Sequence, residues 1–335
     1  MFHVIVNPAS QSGNAAQIRA HYKTLFSSSG KPFEVHFSEK KGDITRICRE
    51  LSLQAAKQQS QLSEQEEPAD PMCLVIVGGD GTMNEAVNGI ADFSAVRVGF
   101  LLSGSGNDLG RDLYAGADPD EVLKTILKGE VVRCIDVGEV MYHDDDPSSA
   151  GPDAAAGSVH RFNISCGIGY DALSCYYADH SGLKVFLNHI HLGKLVYLLS
   201  AMRSLAACPL TNADLVFNPD SPDAFTDSVS RFLLAVGMNH QYQGGGFRFC
   251  PDASNCDGQL DVCVAGSFRK LSFFRIFPGI NKGRHLKEKG IYIKRAASVR
   301  IRTAIPLCVH TDGEVERKSA DLTLRMIPGA LRLLH

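Results

Sequence analysis

Over the first third of the chain, short apolar runs alternate with longer segments in which apolar residues recur at helical spacing. Residues 4–6, 33–37 and 73–77 read as buried strands, and residues 17–27, 44–56 and a stretch from about Met83 read as helices. That βαβαβα order predicts a parallel sheet flanked by helices. A strand over 96–101, a glycine-rich turn and a helix over 119–128 extend it. Beyond residue 131 short strands dominate, over 134–141, 162–168, 213–217, 232–237, 260–265, 291–293, 298–303, 307–310 and 322–327. They predict an antiparallel sandwich or barrel as a second domain, interrupted by one helical block over 184–207. Two stretches lack apolar periodicity. Residues 58–71 read as a solvated helix end and loop, and residues 143–158, with three successive aspartates, read as a mobile hairpin insertion.

Composition changes this picture in three places. With 335 residues, 44% of them apolar, the chain is long enough for two cores. A net charge of −3, with its Lys and Arg dispersed, gives no electrostatic reason to expect nucleic acid. Ten cysteines without a Cys-x-x-Cys pair read as buried thiols in a reducing compartment. The opening Met1 to Pro8 has the character of a first strand and not of a signal peptide. The strongest apolar stretch, near 195–205, contains Arg203 and is too short to span a bilayer. A cytoplasmic protein whose membrane contact is peripheral is the expectation.

The strongest local signal is Val77-Gly78-Gly79-Asp80-Gly81-Thr82-Met83-Asn84-Glu85, directly after a strand and directly before a helix. Glycines there let backbone approach a ligand closely, and a helix start offers N–H groups and a positive dipole end, which suits phosphate. Thr82 adds a hydroxyl, and Asp80 makes sense as a metal or ribose partner. A second loop, Leu102-Ser103-Gly104-Ser105-Gly106-Asn107-Asp108, follows the next strand, with Arg111 one turn on. Both loops fall at carboxyl ends of neighbouring parallel strands, where open α/β sheets bind ligands, and the turn Asn7-Pro8-Ala9-Ser10-Gln11-Ser12-Gly13 forms a third wall there. On spacing alone each has a plainer reading as an ordinary βα turn.

Together these segments resemble the diacylglycerol kinase catalytic-domain family and its bacterial lipid-kinase relatives. The likeness continues through Val87-Asn88-Gly89, Asp136 in Ile135-Asp136-Val137-Gly138, Asn163 with Gly167 to Asp171, Gly193 to Tyr197, Pro251 to Asp261 and Asp312-Gly313-Glu314. It implies an N-terminal three-layer α/β domain of the NAD-kinase and diacylglycerol-kinase kind over 1–133, and a C-terminal β-sandwich lipid-acceptor domain over 134–319. The last segment, about 320–335, returns to the first domain in this reading. The resemblance further implies an ATP-dependent lipid kinase that uses Mg2+ and acts on a membrane lipid hydroxyl, most naturally that of diacylglycerol, at a membrane surface. Family members often pair, so a homodimer is compatible.

By the same resemblance, Asn7, Pro8, Ala9, Ser10, Gln11, Ser38, Gly79, Asp80, Gly81, Thr82, Met83, Asn84, Glu85, Ser105, Asn107 and Arg111 contact the nucleotide. Asp312 is the general base, Asp80, Asp108 and Asp136 form the surrounding acidic and metal network, and Glu314 joins it. A structural magnesium maps onto the backbone carbonyls of Ser254 and Gln259 and the carboxylate of Asp257. Two positions depart from the family pattern: Gln11 stands where glycine is usual, and Ser38 where threonine is.

Plainer readings stand beside several of these. From spacing alone Asp312-Gly313 is a two-residue hairpin turn, Asp257 is another turn, and Asp136 is a solvated residue closing a linker. Residues 268–277, with Lys282, Arg284, Lys287 and Lys289 following, interleave aromatic and basic side chains. They fit either a core-packed helix or one lying on an anionic membrane. His189 and His191 are two apart on a predicted helix and make poor joint metal ligands. Two rival functions remain, phosphorylation of a soluble acceptor as in NAD kinase, and a regulator that binds lipid or nucleotide without catalysis.

Overall fold

The computed structural model describes residues 1–10, 23–27, 30–61, 71–102, 108–114, 117–146, 155–180, 201–267, 270, 279–280 and 283–334. The chain forms two compact units. One comprises Met1–Val137, Asn255–Asp257 and Ile327–His335, and the other Gly138–Ser254 and Gly258–Met326.

The first unit is built on a parallel sheet. Its strands β1 (Phe2–Val6), β2 (Phe33–Phe37), β3 (Met72–Gly78) and β4 (Val96–Leu102) lie in the order β2-β1-β3-β4. The registers Val4↔Val35, Val4↔Val75 and Val75↔Gly99 are all parallel. β1 is buried throughout and β3 over all but its first residue, which explains why both read as unbroken apolar runs. Its helices include α1 (Asp43–Ser60), α2 (Asp80–Gly89), α3 (Asp108–Tyr114) and α4 (Pro119–Lys128). α1 buries Ile44, Ile47, Cys48, Leu51 and Ala55, the apolar stripe of a helix packed on one face. It crosses α2 so closely that a Cβ on Gly89 would lie 2.3 Å from the carbonyl oxygen of Thr45. α4 has the strongest end signals, with Asp118 accepting from the Asp120 N–H, Pro119 in the first turn and Gly129 closing it in the left-handed region.

The second unit is antiparallel. β5 (Val131–Tyr142) carries the chain into it, and β6 (Val159–Phe162), β7 (Ser165–Gly169), helix α5 (Tyr170–Asp179), β8 (Thr211–Phe217), β9 (Phe225–Phe232) and β10 (Leu234–Met238) follow. After the short pair β11 (Tyr242–Gln243) and β12 (Phe247–Arg248) come β13 (Leu260–Ala265), β14 (Ile291–Ala296), β15 (Ser298–Thr311) and β16 (Glu314–Leu334). β14, β13, β10, β7 and β15 are hydrogen-bonded in that order, while the first part of β15 pairs with β8, and β8 with β9. β15 therefore serves two groups of strands, with a register break between Arg302 and Leu307 around Pro306, which has no N–H to give to a ladder.

Alternation sets the two cores of this unit. On β13, Leu260, Val262 and Val264 enter a cluster with Phe162, Phe217, Phe232, Ile301 and Leu324, and Cys263 and Ala265 enter another with Tyr170, Leu205, Val236 and Met238. Strands β10 and β13 are buried on both faces.

Several sequence expectations change in detail. The strand expected over 162–168 is two, β6 and β7, separated at Asn163 and Ile164. The pair expected over 298–303 and 307–310 is the single strand β15, and that over 322–327 is part of the longer β16. The helix expected from Met83 begins at Asp80, because Gly79 is the last extended residue. Of the helices expected over 17–27 and 184–207, residues 23–27 and 201–207 are helical and the remainder lie outside the described residues, as do His189, His191 and Gly193 to Tyr197.

The insertion expected to be mobile is pinned at both described ends. Buried Arg317 donates to the carbonyl of Asp144 at 2.6 Å, the carbonyl of Ala155 at 3.2 Å and the hydroxyl of Ser158 at 3.0 Å. The Asp144 carboxylate accepts from the Ser319 hydroxyl and the Ala320 N–H, and Asp146 accepts from the Lys318 N–H at 2.8 Å. Asp144 and Asp146, two of the three aspartates of the expected hairpin insertion, thus hold on to β16, and residues 147–154 lie outside the described ones. Among the described residues, no helix is long and apolar enough to cross a membrane.

Candidate functional site

In the first unit the predicted residues gather at the carboxyl ends of β1 and β3. Asn7 follows β1 with its N–H on the Val77 carbonyl at 3.0 Å, so its side chain stands beside the following turn. Its Nδ2 donates to Thr82 Oγ1 at 2.9 Å, and its Oδ1 accepts the Ala9 N–H at 3.0 Å. The second contact is a local side-chain turn of the kind asparagine favours. Ser10 closes the same turn, donating from N–H and hydroxyl to the Asn7 carbonyl. Pro8–Ser10 is a single 3-10 turn, and Gln11 lies outside the described residues.

The turn from Gly78 to Thr82 is tightly built. A Cβ on Gly78 would lie 2.4 Å from Thr82 Oγ1, so only glycine permits this approach. The Gly79 carbonyl accepts from the Thr82 and Met83 N–H groups, which starts α2 with Asp80 in its first turn. Asp80 then reaches the start of α3, where its oxygens accept the N–H groups of Asp108 at 3.2 Å and Leu109 at 3.4 Å. Those are donors that a helix start leaves unsatisfied, so Asp80 caps α3 from outside it. Asp108 is buried, and its carboxylate pairs with Arg111 one turn on. Asp80, Asp108 and Arg111 are thus brought together, while Ser105 and Asn107 lie outside the described residues.

Ser38 follows β2, its N–H on the Val6 carbonyl at 3.0 Å. The turn after it is held by Asp43, whose Oδ2 accepts the N–H groups of Glu39 at 2.9 Å and Lys40 at 3.1 Å. These backbone donors, Glu39 first, hold the Asp43 carboxyl below its ordinary range. Glu85 binds this same region, accepting the Gly42 N–H at 3.0 Å with its carboxylate and the Thr45 hydroxyl at 3.0 Å with its carbonyl. Met83 and Asn84 are buried along α2, and Asn84 accepts from the Asn88 amide. Of the predicted nucleotide contacts, Glu85 is therefore an anchor between α2 and α1.

Asp136 is 2% exposed, not the solvated linker residue that spacing suggested, and its Oδ1 accepts the Gly329 N–H at 2.7 Å. The N–H of Asp136 donates to the Asn255 carbonyl at 2.7 Å. Ser254, Asp257 and Gln259 fall in the turn before β13, with Asp257 and Gln259 exposed. They offer only oxygen donors, the set that a hard divalent cation such as Mg2+ takes.

In the second unit Asp312 occupies a hairpin turn. Thr311 pairs with Glu314, and Asp312 and Gly313 have φ of 50° and 91° between them. Positive φ at both central residues is the two-residue turn that matches strand twist, so the turn reading of Asp-Gly holds in the structure. The carboxylate does more than turn the chain. Oδ1 accepts the N–H groups of Ile164 at 2.8 Å and Ser165 at 3.0 Å, and Oδ2 accepts that of Asn163 at 2.8 Å. The Asp312 N–H donates in return to the Ser165 carbonyl. The break between β6 and β7 thus exists to present three N–H groups to one carboxylate.

Beneath the turn lies a buried network that sequence reasoning did not assign. His310 Nε2 meets Asp171 Oδ2 at 2.5 Å, and the Gln243 amide donates to the same oxygen at 2.8 Å. His310 Nδ1 accepts the Gly313 N–H at 3.1 Å, so the ring proton belongs on Nε2. Burial first, then the charges of Asp312 and Asp171, push the Cys166 thiol well up, the mark of a negative local field. A Cβ on Gly167 would fall 2.5 Å from His310 Nε2 and 2.6 Å from Asp171 Oδ2. The available signal was that glycine within a short strand, four residues before an acid.

The basic and aromatic segment is described at few positions. Lys270 donates to the carbonyls of Ala206, at 3.2 Å, and Cys208, and His285 is buried with Nε2 2.9 Å from the Phe249 carbonyl. Residues 268–269, 271–278 and 281–282 lie outside the described ones.

Comparison with known proteins gives a consistent result. The diacylglycerol kinase catalytic domain family matches residues 1–140, and the family described as the YegS C-terminal NAD kinase beta sandwich-like domain matches residues 165–335. A diacylglycerol kinase of Bacillus subtilis (strain 168) is 25% identical over 315 residues, covering 93% of this chain and 88% of its own. One of Staphylococcus carnosus (strain TM300) is 26% identical over 242 residues, covering 72% and 69%. The crystal structure of a diacylglycerol kinase from Bacillus anthracis str. Sterne covers 100% of this chain and 96% of its own with a TM-score of 0.62 at 18% identity, a likeness of fold.

Proposed function

Because the chain belongs to the family that joins a diacylglycerol kinase catalytic domain to a YegS C-terminal NAD kinase beta sandwich-like domain, we propose that it is an ATP-dependent lipid kinase whose acceptor is diacylglycerol and whose product is phosphatidic acid. The observation that carries this reading is the bond from Asn7 to Thr82, which joins the turn after β1 to the glycine turn after β3. A helix start beside glycine-rich backbone favours phosphate, and here α2 supplies both with Thr82 as a hydroxyl donor.

Phosphoryl transfer asks for positioning and charge stabilisation more than covalent work. The acceptor hydroxyl oxygen bonds to the γ-phosphorus while the bond to the β–γ bridging oxygen breaks and ADP leaves with that electron pair. The hydroxyl proton passes to Asp312, a carboxylate held in one orientation by the N–H groups of residues 163–165. Asp80 and Asp108 fix the start of α3, and Arg111 balances the charge of Asp108. The oxygen donors of Ser254, Asp257 and Gln259 would hold Mg2+ and brace their turn. Such a cation supplies neutralising charge wherever phosphate oxygens gather. A diacylglycerol acceptor stays in its membrane, so the protein works at that surface from the side that holds ATP.

The test is transfer of label from γ-labelled ATP in the presence of magnesium into mixed micelles of diacylglycerol, sphingosine, undecaprenol or phosphatidylglycerol, with NAD as a soluble control. Label in diacylglycerol, lost in Asp312→Asn, is the expected result. Label in NAD alone would replace the lipid reading, and label in another lipid would replace the acceptor.

A further inference from the structure

Strand β1 is buried along its whole length, yet its second residue is a histidine. A polar side chain inside an apolar strand requires a partner, and that of His3 is found on the neighbouring strand β2. His3 is in register with Glu34, and His36 stands two residues further on, so all three side chains share one face of the sheet. Their ligand atoms converge. His3 Nδ1 lies 3.1 Å from His36 Nε2 and 3.6 Å from Glu34 Oε2, and His36 Nε2 lies 3.9 Å from the same carboxylate oxygen. The imidazole rings are stacked with centroids 5.4 Å apart. The cluster opens into a groove of about 580 Å³ between this sheet face and α1, where Arg46 and Glu50 are already paired with each other at 3.1 Å.

We propose that His3, Glu34 and His36 form a binding site for a divalent late first-row transition metal, of which Zn2+ is the representative. Four-coordinate zinc with ligand distances of about 2.0–2.2 Å separates its donor atoms by roughly 3.3–3.6 Å, close to the three distances seen here. Two imidazole nitrogens and one carboxylate oxygen suit zinc, nickel, cobalt and copper far better than magnesium or calcium. Burial first, and then neighbouring His36, lower the pKa of His3. A fourth position faces the groove. The bound ion would staple β2, the last strand on its side of the described sheet, to β1.

The site can be tested on tag-free protein stripped with EDTA, titrated with Zn2+ against a chromophoric chelator and separately with Co2+ and Mg2+. The expected result is one Zn2+ per chain that Mg2+ does not displace, the intense visible absorption of four-coordinate Co2+, and a Tm that rises with Zn2+. His36→Gln and Glu34→Gln should each weaken Zn2+ binding roughly tenfold or more. Their side chains are 22% and 55% exposed, so neither substitution disturbs the core, and circular dichroism would verify it. Absence of stoichiometric Zn2+ or Co2+ binding would overturn the proposal. So would affinity unchanged in both variants, which would assign the metal to thiols such as the exposed Cys134 and Cys256.

Discussion

His310 and Asp171 meet 2.5 Å apart, Nε2 to Oδ2, with the imidazole wholly buried beneath the turn that carries Asp312. The other ring nitrogen receives the Gly313 N–H, so one side chain links Asp171 to the backbone of the turn. Asp171→Ala strands the His310 and Gln243 donors in the interior, at roughly 1–3 kcal/mol each. Phosphoryl transfer should fall about tenfold or more with KM for ATP unchanged, since the residue acts through Asp312 and not on nucleotide. Gly167→Ala should reproduce the loss by pushing the pair apart. Thermal melts and steady-state kinetics on both variants test this, and a change confined to KM for ATP would refute it.

If Asp312 is the base as well as the turn residue, two substitutions that keep its turn test the first of these roles. Its φ of 50° is tolerated by Asn and Gly. Asp312→Asn keeps the turn but replaces one acceptor oxygen with a donor facing N–H groups, and Asp312→Gly keeps the turn and removes the acceptor altogether. Both should abolish transfer, with Tm lowered in both. Retention of measurable transfer in Asp312→Gly would show that the carboxylate is not the base.

Asp80 caps α3 across the fold. Asp80→Ala should destabilise the protein by about 0.5–2 kcal/mol, the usual cost of a lost N-terminal cap, and Asp80→Asn by less, because its amide oxygen still accepts. If Asp80 also serves the nucleotide, both variants lose activity while the alanine loses the more stability. Urea melts beside activity assays distinguish the two.

Asp43 supplies a pH signature. Its carboxyl is held below the ordinary range by the Glu39 and Lys40 N–H groups. A depressed folded value stabilises above the unfolded value, about 4, and that contribution is lost as pH falls through the folded one. Asp43→Asn should therefore melt earlier than the parent at pH 7, and the gap should close as the pH drops below about 4. Melting curves at pH 7 and pH 3 measure it, and a constant gap would contradict the assignment.

What the sequence disclosed follows the range of each interaction. The strand, turn and helix around Gly78 to Glu85 were legible because the contacts that form the turn itself, between Gly78 or Gly79 and Thr82 or Met83, fall within a few residues. The Asp312-Gly313 turn was legible for the same reason. The network beneath it was not, because His310 and Asp171 are 139 residues apart and Asp312 is 149 from Asn163. Periodicity also missed the break at 163–164, which arises from what Asp312 requires, and the unity of β15, which runs on through Pro306. The cluster of His3, Glu34 and His36 left one faint trace, an acid and a histidine two apart on a strand, whose partner becomes visible only once the β1–β2 register is known.

The return of β16 to the first unit, where Leu333 lies beside Val98, bears on how the protein is made. Translation proceeds from the amino end, yet the sheet bearing the glycine turn keeps a bare flank on β4 until residues 327–334 have cleared the ribosome. The portion encoded first therefore matures last. A nascent chain halted anywhere in the second unit would carry every residue of the Gly78 turn and still lack the strand that closes their sheet, a state in which chaperone binding or premature pairing of that edge has its longest opportunity.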